Sequence, residues 1–76
     1  MTKYELLGYL DEATEVTAAE VASAFGEEYA AAGMALLRLV RQGLASREVD
    51  ESTRAYAYAL TDKGRDRLAY FDGVSD

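Results

Sequence analysis

The sequence predicts a mainly helical α+β fold: three helices, a two-stranded hairpin and a closing helix. Three observations carry that expectation. Two helical stretches, the first with a marked start and both with glycine stops, meet at a tight corner between Thr17 and Leu44. A period-two run of large residues, Tyr56, Tyr58 and Leu60, comes after them. A further capped helical stretch then begins at Thr61.

Taken in order, Thr2 caps a first helix running to about Glu12, with Tyr4, Leu6, Leu7 and Leu10 at near-helical spacing. Gly8 weakens that helix and is expected to admit another helix closely, while Tyr9 falls off the main stripe. Asp11 to Thr17 reads as a polar connection with room for a minimal strand at Glu15–Val16–Thr17. Thr17 and Glu20 form a capping box, and Val16 and Val21 stand where a hydrophobic staple closes over it. Val21, Ala22 and Phe25 make a short apolar stripe that Gly26 ends in the left-handed conformation. The next helix spans about Glu28 to Gln42, and Gly43 stops it in the same way.

Leu44–Val49, the polar turn Asp50–Thr53, and Arg54–Leu60 then read as a hairpin. Tyr56, Tyr58 and Leu60 alternate with Ala55, Ala57 and Ala59, which places the large residues on one face of a strand. On a helix they would scatter round the circumference. Thr61 caps a last helix over about 62–71, with Leu68 facing inward and a tail, Asp72–Asp76, expected to fray. Tyr56, Tyr58 and Phe25 are expected in the core. Helices followed by a hairpin and a closing helix make the winged helix arrangement, a single domain over 1–76: helix-turn-helix about 17–43, wing about 44–60, last helix about 62–71.

Composition narrows the function classes. A chain of 76 residues buries roughly 60–65% of its unfolded surface, so its stability is modest or shared with a partner. It has no cysteine and no histidine, which removes thiolate and imidazole ligands and the commonest general base. Its carboxylates are scattered, and no glycine-rich phosphate loop occurs. No enzyme, metal, cofactor or small-molecule ligand is expected. No apolar run approaches about 18 residues and no charged-then-apolar leader opens the chain, so a soluble, cytoplasmic protein is expected.

The net charge of −6 is uneven. In residues 1–36 Lys3 faces seven carboxylates, whereas residues 37–76 carry seven bases and seven acids. All six arginines lie in that second part. A sequence pI near 4.5 argues against a strong basic face. Scarce lysine, many acids and alanines, and no isoleucine or asparagine are consistent with a GC-rich genome and a salt-tolerant, halophilic proteome; an acidic interaction surface is the other explanation.

Two blocks resemble winged helix-turn-helix transcriptional regulators of the MarR and PadR type. Leu36–Leu44 resembles the L-x-x-L-x-x-x-G-L end of their recognition helix. Tyr58–Leu68 resembles the Y-x-L-T-x-x-G-x-x-x-L that closes their wing and opens their last helix. The resemblance covers nearly the whole chain and implies a small DNA-binding transcriptional regulator. It also assigns packing roles: Gly43 ends the helix, Leu44 and Leu60 fill the core, Thr61 caps, and Gly64 admits the last helix against the sheet. None of those residues touches DNA in such families, so function rests on the outward face.

At 100° per residue, Tyr29, Ala32, Leu36, Leu39, Val40 and Gly43 group on a core arc. Ala30, Ala31, Met34, Arg38, Arg41 and Gln42 group on the outward arc, with Ala35 and Leu37 at its margins. Those six outward residues are the candidate duplex contacts on the helix. The first turns suit a thymine methyl and little else, because base edges are read by Arg, Lys, Asn or Gln. Arg38 and Arg41 lie where phosphate contact is expected. Glu27 and Glu28 at the helix start are expected to repel phosphate. In the wing, Arg47 and Arg54 reach toward backbone or minor groove, and Lys63, Arg65 and Arg67 extend the basic region. For Arg65 and Arg67, beside Asp62 and Asp66, ordinary surface pairing is the favoured reading.

Tyr4, Tyr9, Tyr70 and Phe71 lie on the terminal helices. A homodimer through those helices is one reading of them, setting two recognition helices on successive groove faces. Monomeric core packing is the other. Double-stranded DNA is the expected partner. The alternative is a protein–protein interaction module that docks through the alanine-rich helix face or the acidic first half.

Overall fold

The computed structural model describes residues 1–74, in the order α1 (Lys3–Ala13), α2 (Ala18–Phe25), α3 (Tyr29–Arg41), β1 (Ala45–Val49), β2 (Tyr56–Leu60) and α4 (Asp62–Val74). It is a mainly helical winged helix, as expected. Both early helices start on complete capping boxes. The Thr2 hydroxyl oxygen accepts from the Glu5 N–H at 3.1 Å while the Glu5 carboxylate accepts from the Thr2 N–H at 2.8 Å. Thr17 and Glu20 repeat the arrangement at 3.2 and 3.0 Å. Each box satisfies two amides that a helix start otherwise leaves without partners. Val16 and Val21, the staple over the second box, are both fully buried.

The stops are equally local. Gly26 lies at φ 63, and the Glu27 N–H returns to the Ala22 carbonyl at 2.9 Å. Gly43 lies at φ 76, with Leu44 N–H on Leu39 O at 2.9 Å and Gly43 N–H on Val40 O at 3.0 Å. That pair of bonds is a Schellman stop, whose left-handed residue glycine adopts without steric cost.

β1 and β2 pair antiparallel from Ala45–Leu60 to Val49–Tyr56. Val16 adds a single bridge to the other edge of β2, exchanging both backbone hydrogen bonds with Tyr58 at 2.9 and 2.7 Å. The minimal strand expected at Glu15–Thr17 is therefore one residue pair. The register sets Ala45, Arg47 and Val49 on the same face as Leu60, Tyr58 and Tyr56. Ala45, Tyr58 and Leu60 are buried at the wing's base. Tyr56, expected in the core, is 44% exposed. Alternation sets which face a side chain takes, but burial also needs a helix opposite it, and that cover ends before Tyr56.

The core comprises Leu6, Leu7 and Leu10 of α1, Val16, Val21, Leu36, Leu39, Leu44, Tyr58 and Leu60, with smaller alanines between. Phe25 and Leu68 pack against it half-buried. Gly8 does not admit a neighbouring helix, since a Cβ there would have open space around it. The close approach is at Gly64, where α4 seats against Leu44 and the end of β2, as the resemblance implied. A Cβ on Gly64 would overlap the Leu44 carbonyl oxygen and stand 2.7 Å from Leu60 Cδ1.

Thr61 ties α4 to the end of α3. Its hydroxyl donates to Gly43 O at 2.7 Å and accepts from Gly64 N–H at 3.0 Å, while its own N–H donates to Leu44 O at 3.1 Å. α4 runs to Val74, past the expected end near Phe71. Of the tail expected to fray, 72–74 are thus helical, and Ser75 and Asp76 lie outside the described residues. Among the described residues, no helix is long and apolar enough to cross a membrane.

Candidate nucleic-acid interface

α3 presents the expected outward arc. Ala30, Ala31, Met34, Arg38, Arg41 and Gln42 are all exposed, Ala32, Leu36 and Leu39 are buried, and Ala35 and Leu37 are intermediate. Two members of the expected core arc depart from it, Tyr29 at 65% exposed and Gly43, also exposed, while Val40 is half-buried. The helical wheel gives an angle and no depth along the axis. Tyr29 is the first residue of α3 and lies beyond the end of the core that its angle faces.

The start of α3 carries less free negative charge than expected. The Met1 ammonium donates to Glu27 Oε1 at 3.1 Å, which ties that carboxylate to the start of the chain. Glu28, the N-cap, stays exposed and makes no side-chain capping bond.

The wing positions its two arginines differently. Arg47 lies in β1 with its guanidinium 4.2 Å from the centroid of the Tyr56 ring, a cation–π contact that fixes an otherwise flexible side chain. Arg54 lies in the turn at φ 62, its N–H donating to Asp50 O at 2.7 Å. Asp50 organises that turn: its carboxylate accepts from the Ser52 hydroxyl at 2.7 Å and the Ser52 N–H at 2.9 Å. Those bonds, the hydroxyl's foremost, hold the Asp50 carboxyl below its usual range.

Among the described residues, Arg38, Arg41, Arg47 and Arg54 have no carboxylate at ion-pair distance. Arg65 is different: its Nη1 reaches Asp62 Oδ1 at 2.7 Å, the surface pairing expected of it. Arg67 makes no such pair among the described residues. Tyr29 and Tyr56, both assigned to the core by pattern, instead border a cleft of about 270 Å³ between the start of α2 and the wing. The signal for Tyr29 was present in its position at a helix start. For Tyr56 it was the distance from the wing's buried base.

The terminal aromatics split. Tyr4 meets Phe71 edge-on at 6.0 Å, and Phe71 meets Tyr70 at 6.0 Å, giving one aromatic run across α1 and α4. Tyr70 is 64% exposed at the end of that run. Tyr9 packs elsewhere, half-buried and edge-on to Phe25 at 5.5 Å.

No family model matches the sequence, and no curated protein matches it. Solved structures do. A variant of MepR from S. aureus superposes with a TM-score of 0.88 at 27% identity, over 97% of this chain and 56% of that one. Another MepR variant, bound to an oligodeoxyribonucleotide, gives 0.87 at 27% identity over the same shares. A MarR family transcriptional regulator from Silicibacter pomeroyi gives 0.83 at 29% identity, over 95% of this chain and 48% of that one. The chain spans about half the length of the structures it matches. Its fold is that of winged helix regulators of the MarR and MepR kind.

Proposed function

We propose that this chain is a DNA-binding protein, a small transcriptional regulator that contacts duplex DNA through α3 and the wing. The carrying observation is that Arg38, Arg41, Arg47 and Arg54 stand exposed on those two elements, free of carboxylate partners among the described residues. The solved MepR structure with an oligodeoxyribonucleotide supports the same reading, since its fold matches over nearly the whole chain. Arg38 and Arg41, with Gln42, hold phosphates beside the major groove. Ala30, Ala31 and Met34 offer apolar contact to thymine methyls. Arg47 and Arg54 meet backbone or minor groove from the wing. The first turns of α3 carry no base-reading polar group, so affinity exceeds sequence discrimination. The aromatic run of Tyr4, Phe71 and Tyr70 supplies a homodimer face on α1 and α4, with Tyr9 peripheral to it.

Titrating a labelled duplex at several KCl concentrations tests the reading. Each phosphate neutralised contributes about −0.9 to the slope of log affinity against log salt. Arg38→Ala with Arg41→Ala is therefore expected to lower the slope's magnitude by about two. An acidic chain suited to a salty cytoplasm would give a flat or inverted dependence. No binding at any salt, with the double variant indistinguishable from wild type, refutes the reading. The smooth exposed surface of Ala30, Ala31 and Met34 favours one competitor, a helix-docking module, for which Ala31→Arg abolishes capture of a protein partner and leaves DNA irrelevant.

A further inference from the structure

Two adjoining clefts at the C-terminal end of α3 collect most of the protein's positive charge. One, of about 150 Å³, is bordered by Lys3 and Arg38. The other, of about 540 Å³, is bordered by Lys3, Arg41, Lys63 and Arg67. They share Lys3 and Gln42, which makes them one continuous strip. Five of the eight basic side chains in the protein line it, and among the described residues no carboxylate does, Asp66 standing in the next cleft along with Lys63 and Arg67. α1, α3 and α4 each contribute.

We propose that this strip binds the sugar–phosphate backbone of the same duplex, beyond the groove that α3 occupies. The inference rests on the duplex-binding reading above and extends it to α1 and α4. The chemistry of the lining favours backbone over bases. Lysine and arginine bind phosphate as charges and forks, whereas base stacking needs an exposed ring, and no aromatic borders either cleft. Lys63 donates to Gln42 O at 3.0 Å, which caps α3 and holds the ammonium at the strip with donors to spare. The end of the α3 dipole brings roughly half a negative charge to this region. Five whole positive charges outweigh it. Continuity decides the partner, because Arg38, Arg41 and Gln42 belong both to the outward arc of α3 and to the strip. A backbone followed along the recognition helix passes directly onto Lys3, Lys63 and Arg67.

The test compares wild type, Arg54→Gln in the wing and the strip double variant Lys3→Gln with Arg67→Gln, titrated with one labelled duplex across a KCl series. Thermal unfolding checks that each is folded. The strip variant is expected to lower the magnitude of the salt slope by about two, so that the affinity lost between 50 and 200 mM salt shrinks roughly tenfold. Lys3→Arg with Arg67→Lys keeps both charges and is expected to restore the slope. A strip variant with the wild-type slope, while wild type binds and Arg54→Gln weakens binding, overturns the strip and leaves the recognition helix standing. A wild type that binds no duplex overturns both readings. A strip variant that keeps the wild-type slope and differs only in its sedimentation overturns the strip as a DNA surface and gives it to contact between copies of this chain.

Discussion

Replacing either of two helical glycines with alanine is expected to have opposite effects on stability, and the structure says why. In an exposed helix, Gly→Ala stabilises by about 0.5–1 kcal/mol, because alanine loses less backbone entropy on folding. Gly8 in α1 has open space where a Cβ would stand, so Gly8→Ala takes that gain in full. At Gly64 the new methyl overlaps the Leu44 carbonyl oxygen and comes within 2.7 Å of Leu60 Cδ1. That carbonyl is held by the Thr61 N–H at 3.1 Å, so it yields only if α4 shifts as a unit. Overpacking costs about 1–3 kcal/mol, with the upper end appropriate where the obstacle is backbone. Subtracting a propensity gain of up to about 1 leaves Gly64→Ala destabilised by about 2 kcal/mol. In a chain of this size that lowers Tm by about 8–16 °C, while Gly8→Ala raises it by about 2–8 °C. Urea and thermal unfolding followed by far-ultraviolet circular dichroism measure both. A Gly64→Ala protein as stable as wild type would show that α4 does not seat on Leu44 as described.

Thr61→Ala removes a helix cap and the tie to Gly43, and is expected to cost about 1–2 kcal/mol in urea unfolding. Thr61→Ser keeps both bonds and should recover most of that loss, which a purely steric role for the methyl would not allow. Arg47→Ala frees the Tyr56 ring and is expected to lower stability by no more than about 1 kcal/mol, with a duplex salt slope smaller by about one. An unchanged slope would remove Arg47 from the DNA contacts. The Glu5 carboxyl is held below its usual range by the Thr2 N–H first and its hydroxyl second. A lowered folded value contributes stability at neutral pH that is lost as pH falls through and below the ordinary glutamate range of about 4.3. Glu5→Gln keeps a capping acceptor without titrating, so it should lose less stability than wild type between pH 5 and 3. Equal losses would contradict this.

Features of the fold set by neighbours in sequence were legible. Thr17 with Glu20, Gly26 and Gly43 each act within about five residues, and so each could be read without knowing what lies opposite. Gly64 was legible through the resemblance of its surrounding block, but the clash that explains it involves Leu44, far away in sequence. Gly8 shows the limit of composition alone: the same residue type in a helix next to leucines marks no close approach. In the candidate site, the outward arc of α3 was legible because a 100° period needs only the helix. The exposure of Tyr29 and Tyr56 was not, because each lies on the core side by angle or alternation and beyond the core by depth.

Sequence alone thus determined where the elements start and stop, which face of α3 turns outward, and that the wing is a hairpin. These are consequences of hydrogen bonds and periodicities that operate within a few residues. Only the tertiary structure decided which aromatics are covered, why α4 needs a glycine at its third position, and that Lys3 stands with Arg41, Lys63 and Arg67. Burial and charge clustering depend on where elements cross. An acidic chain whose first half holds one lysine can therefore still assemble a continuous cationic strip.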